Sequence, residues 1–126
     1  MEKKVINIPG NVSPAPVSAA VRAGDLLFCS GQCGYDFVKQ CFYGDDIETQ
    51  AKGAMDNLQQ VLAEAGSTMD DIVKVNIYLS DVNDFPVVNK IYAGYFPNEK
   101  PARTCVQIAK IPLGALVEIE AVAIAH

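Results

Sequence analysis

Four residues near the C-terminus have types and spacings that could do chemistry. They are Arg103 and Cys105 in PARTCVQIAK, and Glu118 and Glu120 in ALVEIEAVAIA. Both stretches read as β-strands, in which residues two apart share a face. Arg103, Cys105 and Gln107 therefore project one way, and Ala102, Thr104, Val106 and Ile108 the other. In the second strand Val117, Ile119, Ala121 and Ala123 form an apolar face suited to helices. Leu116, Glu118, Glu120, Val122 and Ile124 lie opposite. Two carboxylates among apolar neighbours cost free energy unless a cation or hydrogen-bond donor meets them. With the strands joined by a tight connection, Arg103 on the adjacent strand is the expected cation. Such a set can be an ion pair that fixes an assembly, or a polar site. A nucleophilic role for Cys105 would require a base, and the single histidine is the terminal His126. Cys105 is therefore expected to be a small packed residue.

The rest of the chain supplies the elements that must hold these residues. Lys4–Asn7 reads as a short strand, followed by an irregular segment with Pro9, Gly10, Pro14 and Pro16. Val17–Arg22 and Asp25–Cys33 read as two more strands around the Ala23-Gly24-Asp25 turn. In the latter, Leu26, Phe28, Ser30 and Gln32 share one face and Leu27, Cys29, Gly31 and Cys33 the other. Gly31 inside a strand signals a bulge or a close approach of another group. Gly34–Gly44 is an aromatic loop or loose hairpin. Asp46 caps a helix over Ile47–Ala65, with Glu48 in its first turn and Gly66 as its stop. Ile47, Ala51, Ala54, Met55, Leu58, Val61, Leu62 and Ala65 make its core stripe. Ile72–Ser80 alternates as a strand, with Val73, Val75, Ile77 and Leu79 on one side. A second helix follows Asp84 to about Phe96, turning Phe85, Val88, Ile91, Tyr92 and Tyr95 inward.

These elements predict one α+β domain over residues 1–126, a mixed six-stranded sheet with both helices on one face. The other face, with Leu26, Phe28, Tyr78, Leu116, Val122 and Ile124, has no cover from its own chain. A closed homo-oligomer is the expected solution.

Composition narrows the function classes. A net charge of −5 and a pI near 4.7, with scattered Lys and Arg, make nucleic acid an unlikely partner. No apolar run approaches a membrane span and the N-terminus lacks a secretion signal, so the cytosol is expected. Cys29, Cys33, Cys41 and Cys105 form no CxxC. Cys29 and Cys33 on one strand would lie ~13 Å apart. No metal site is expected, and the thiols read as reduced and mostly packed.

SGQ at Ser30–Gln32, QAKGAMDN at Gln50–Asn57, the run from Asp70 to Phe96, PARTCV at Pro101–Val106 and VEIEAVA at Val117–Ala123 occur in one order and spacing. In this combination the chain resembles the RidA (YjgF) family of reactive-imine deaminases, older members of which were called L-PSP endoribonucleases or translation inhibitors. The resemblance implies a chorismate-mutase-like fold (bacillus type), a homotrimer with its sheets forming a central barrel, and sites in clefts between subunits. It implies cofactor-free hydrolysis of 2-imino acids such as 2-iminobutanoate and 2-iminopropanoate to 2-oxo acids and ammonia. By the same resemblance Arg103 holds the substrate carboxylate and Glu118 positions water. Gly31, Asn89 and Cys105 line the cleft, and Glu120 supports the trimer or Arg103. One departure bears on substrate choice: where many members carry Gly-Pro-Tyr, this chain has Ala15-Pro16-Val17. An endoribonuclease or translation inhibitor, and a non-catalytic binder of small carboxylates, remain alternatives.

Overall fold

The computed structural model describes residues 1–11 and 15–126; Pro14 of the proline-rich segment lies outside them. Among the described residues eight strands and two α-helices form in chain order. They are β1 (Lys3–Ile6), β2 (Ala20–Ala23), β3 (Leu26–Gln32), β4 (Tyr35–Asp36), β5 (Cys41–Phe42), α1 (Ile47–Glu64), β6 (Ile72–Leu79), α2 (Phe85–Gly94), β7 (Ala102–Gln107) and β8 (Val117–Ile124). Six of the strands build one sheet in the order β1-β2-β3-β8-β6-β7, while β4 and β5 pair as a small separate hairpin. Only β6 and β7 run parallel, joined by the α2 crossover; the other neighbours in the sheet are antiparallel.

The helix signals act as their chemistry requires. Asp46 Oδ2 accepts the Thr49 backbone N–H at 2.9 Å, satisfying one donor of the free first turn. Gly66 takes φ +81° after the last turn, a conformation that costs a glycine little. Both helices cover one sheet face, as expected. Ala51, Ala54, Met55, Leu58, Val61 and Leu62 of α1 meet Leu27, Val75, Ile77, Leu79, Val117, Ile119 and Ala123, all essentially excluded from water. That burial is the main favourable term of the fold. On the opposite face Leu26 (41 %), Phe28 (46 %) and Ile124 (43 %) remain substantially exposed.

Three expectations change. First, β7 and β8 are not neighbours. Their connection crosses β6, which lies between them, so Arg103 is not on a strand adjacent to the glutamates. Second, the alternation of β3 breaks. Three steps from Cys29 to Gln32 oppose two on β8, from Ala121 to Ile119, which is a bulge. Gln32 is thereby turned into the buried face instead of sharing the face of Phe28. Third, a similar slip between Ile72 and Lys74 buries Ile72 and leaves Val73 exposed, the reverse of simple alternation.

Candidate active site

Arg103 stands opposite Val75 in the parallel pair, so it lies on the helix-covered side of the sheet, at the edge strand. Its guanidinium carbon sits 4.8 Å from the Tyr92 ring centre and 5.5 Å from that of Phe85, both on α2. The quadrupoles of the two rings hold the cation without neutralising it. Among the described residues no carboxylate forms an ion pair with Arg103. Its donors therefore remain available to an anion. Asn89 is partly buried on the same helix, four residues after Phe85 and three before Tyr92, which puts it on the face that carries the two rings. Cys105, opposite Ile77, packs against the core, and burial pushes its thiol up from the ordinary value, opposed by Arg103. A protonated thiol suits a wall of the site, not a nucleophile.

Glu118 stands opposite Tyr78 on the face without helices. It belongs to a second cluster built by the β3 bulge. A side-chain carbon added at Gly31 would come within 2.8 Å of Glu118 Cδ and 3.0 Å of its Cγ, so any side chain there would push the Glu118 carboxylate aside. Both halves of the Gly31 expectation thus hold: a bulge, and a close approach. Without the bulge Gly31 would face the helices. Cys33 places its Sγ 3.6 Å from Glu118 Oε1 and donates to it. Burial, then the charge of Glu118 and the hydrogen bond to it, push the Cys33 thiol up to about 12.

Arg103 and Glu118 therefore occupy opposite faces of one sheet and do not meet within a chain. Glu120 does not support Arg103 either. It accepts hydrogen bonds from Tyr78 Oη and, at 3.2 Å, from Asn76 Nδ2 on the neighbouring strand. The hydrogen bond to Glu120 pushes the Tyr78 hydroxyl up from its ordinary value, with burial adding to it. Val17, at the position of the missing tyrosine, lines a pocket of about 400 Å³ together with Ile8, Ser30, Gly31, Phe37 and Val61. Its identity consequently bears on the shape of the space beside Gly31.

Two positioning residues lie on α1 that the pattern of apolar residues does not reveal. The buried Asn57 donates to the carbonyls of Cys33 (3.0 Å) and Tyr35 (2.9 Å) and accepts from Tyr43 Oη (3.0 Å). Gln50, also buried, donates to the Gly44 carbonyl and accepts the Leu116 N–H at 2.9 Å. Between them Gly53 admits the Tyr43 ring, which a side chain there would meet at 2.4 Å. The readable signal was Gln50, Gly53 and Asn57 at three- and four-residue spacing, one face of a helix that is polar yet not outward. Among the described residues no group of three or more His, Cys, Asp or Glu could hold a metal ion, and no helix is long and apolar enough to cross a membrane.

The architecture is the chorismate-mutase-like α+β class, with a polar cluster on each side of its sheet. Residues 11–125 match the family model described as Endoribonuclease L-PSP. A RutC family protein of Pyrococcus abyssi is 38 % identical, the match covering 98 % of each chain. The crystal structure described as a putative endoribonuclease L-PSP from Entamoeba histolytica is 44 % identical with a TM-score of 0.90, covering 98 % of this chain and 99 % of that one. E. coli TdcF, solved with bound serine, has a TM-score of 0.90 at 29 % identity over 98 % of this chain and 99 % of its own. The chain belongs to the endoribonuclease L-PSP family, which includes the RidA and RutC proteins.

Proposed function

We propose that this protein hydrolyses reactive 2-imino acids to 2-oxo acids and ammonia, at sites shared between the subunits of a closed homotrimer. The observation that carries the proposal is the free guanidinium of Arg103, stacked on two rings and unpaired with any carboxylate of the described chain. A planar guanidinium binds a carboxylate through two parallel hydrogen bonds. The serine bound to TdcF, a small molecule with a carboxylate and a nitrogen at its α-carbon, fits the same scheme. Because Glu118 lies on the other face, a neighbouring subunit must bring it to the substrate. Burying Leu26, Phe28 and Ile124 against other copies supplies the driving force.

In the assembled site Arg103 holds the substrate carboxylate and fixes the imine carbon. Water adds to that carbon while the Glu118 carboxylate accepts one of its protons and passes it to the imine nitrogen, giving a neutral carbinolamine. Glu118 then takes the hydroxyl proton and delivers it to the amino nitrogen as the C=O bond forms and the C–N bond breaks, so ammonia leaves with the 2-oxo acid and both protons of water end on nitrogen. A positioned base of this kind contributes roughly 10²–10⁴-fold. Balanced in this way, the reaction needs no redox step and no cofactor. Asn89, Cys105 and the Gly31 backbone complete the walls, and the cytosol, where amino-acid dehydratases release such imines, is the expected setting.

The test couples the protein to a PLP-dependent threonine or serine dehydratase and follows ammonia release. Wild-type protein accelerates release and Arg103→Ala does not. No acceleration by wild-type, or full activity in Arg103→Ala, sinks the proposal. The family description also names endoribonucleases. RNA cleavage by purified protein that disappears in Arg103→Ala would favour that second function instead.

A further inference from the structure

Glu118 must present one carboxylate oxygen to water in a constant direction, and its own chain already restrains the other. Oε1 takes the Cys33 thiol at 3.6 Å. Cδ and Cγ are backed by Gly31, where a side chain would displace them. Cys33 is itself anchored, because its carbonyl accepts from Asn57 Nδ2 at 3.0 Å and Asn57 is buried on α1. A continuous path of hydrogen bonds therefore runs from the helix layer, through the bulged end of β3, to the carboxylate on the far face.

We infer that Cys33 is a positioning residue for the reaction, its thiol donating to Glu118 Oε1 so that Oε2 is left to receive the proton of the attacking water. The inference rests on the proposed imine hydrolysis and adds to it a residue acting through Glu118. A thiol is well suited to the task. It is a weak donor that keeps its proton here, so it orients the carboxylate without competing to protonate it. Its length matters as well, since a 3.6 Å reach is normal for sulfur and long for oxygen.

The experiment compares Cys33→Val with Cys33→Ser in the ammonia-release assay, together with infrared spectra of the intact protein. Valine fills the space of the thiol but cannot donate. Serine donates at a shorter reach. Cys33→Val is expected to lower kcat about tenfold with KM changed less than about twofold, and Cys33→Ser, which keeps a donor at too short a reach, to recover only part of the loss. A residue that merely fills space would give the opposite order, valine at least matching serine. In the spectra, the S–H stretching band that disappears in Cys33→Ser is expected to shift in Glu118→Gln. Wild-type rates in Cys33→Val, or a band indifferent to Glu118→Gln, would overturn the inference while leaving imine hydrolysis intact. Absence of turnover by the wild-type protein would remove both, and the band would still report whether the contact exists.

Discussion

Mixing two inactive variants should restore activity, and the amount follows from which residues each face carries. Arg103 lies on the helix-covered side of the sheet and Glu118 on the open side. In the proposed mechanism a complete site therefore takes Arg103 from one subunit and Glu118 from its neighbour. Arg103→Ala and Glu118→Gln should each be reduced by roughly 10²-fold or more when alone. In a ring assembled at random from equal amounts, half of the subunits keep Arg103 and half keep Glu118. The chance that one interface receives both intact residues is one half of one half. The co-refolded population as a whole should thus recover about a quarter of the wild-type rate per site, whatever the number of subunits in the ring. The two variants are unfolded together, refolded, and assayed for ammonia release against the same variants refolded separately and then combined. Recovery confined to the co-refolded sample supports shared sites. A co-refolded mixture as inactive as its components would refute the argument from the two faces, since sites contained in one chain cannot complement.

Other perturbations probe individual contacts. Gly31→Ala should cost most of the activity with little loss of folding stability, because the carbon added 2.8 Å from Glu118 Cδ displaces a side chain and not the backbone; kinetics beside a thermal melt separates the two. Asn57→Ala strands the Cys33 and Tyr35 carbonyls, and should destabilise the fold by about 3 kcal/mol in denaturant titrations. Burial pushes the thiols of Cys29 and Cys33 up to about 11 and about 12, Glu118 contributing to the latter, so at pH 8 both are almost wholly protonated. Iodoacetamide should therefore modify the exposed Cys41 well before either, as read by mass spectrometry. The hydrogen bond from His126, then that from the Thr68 N–H, holds the Asp71 carboxyl below its ordinary value. A depressed pKa adds stability that is present above about pH 4 and is lost as pH falls through the folded-state value. Asp71→Asn should flatten that acid limb in denaturation curves measured from pH 5 downward.

Much of the fold was legible because its signals are local. Asp46, Gly66 and the stripe from Ala51 to Leu62 set α1, and the strict alternation of β8 separated Val117, Ile119, Ala121 and Ala123 from the two glutamates. The uncovered face followed from counting helices against sheet faces. What was not legible depends on distant pairing. Nothing within 101–125 says that β6 lies between the two closing strands, because a hairpin and a crossing connection use similar loop residues. The bulge at Ser30–Gly31 was signalled by its glycine, yet its consequence, turning Gln32 inward and Cys33 toward Glu118, required the partner strand. Arg103 stood out as a charge on an apolar strand while its neighbours were misjudged, since its face is decided by its pairing with β6. Gln50 and Asn57 were passed over because polar residues on a helix ordinarily face water.

The strand order also constrains how the chain can be made. β8 is the latest of the six sheet strands in sequence, yet it pairs on both edges, with β3 and with β6. Until it emerges from the ribosome, β3 and β6 each expose an unpaired edge, and α1 can cover only a sheet split down the middle. The residues of α1, β3 and β6 must wait through most of synthesis as a collection of sticky parts. Folding is then a late, nearly all-at-once event set off by the segment that carries Glu118. A nascent chain interrupted before Val117 would leave no partial fold behind, only edges open to aggregation and proteolysis.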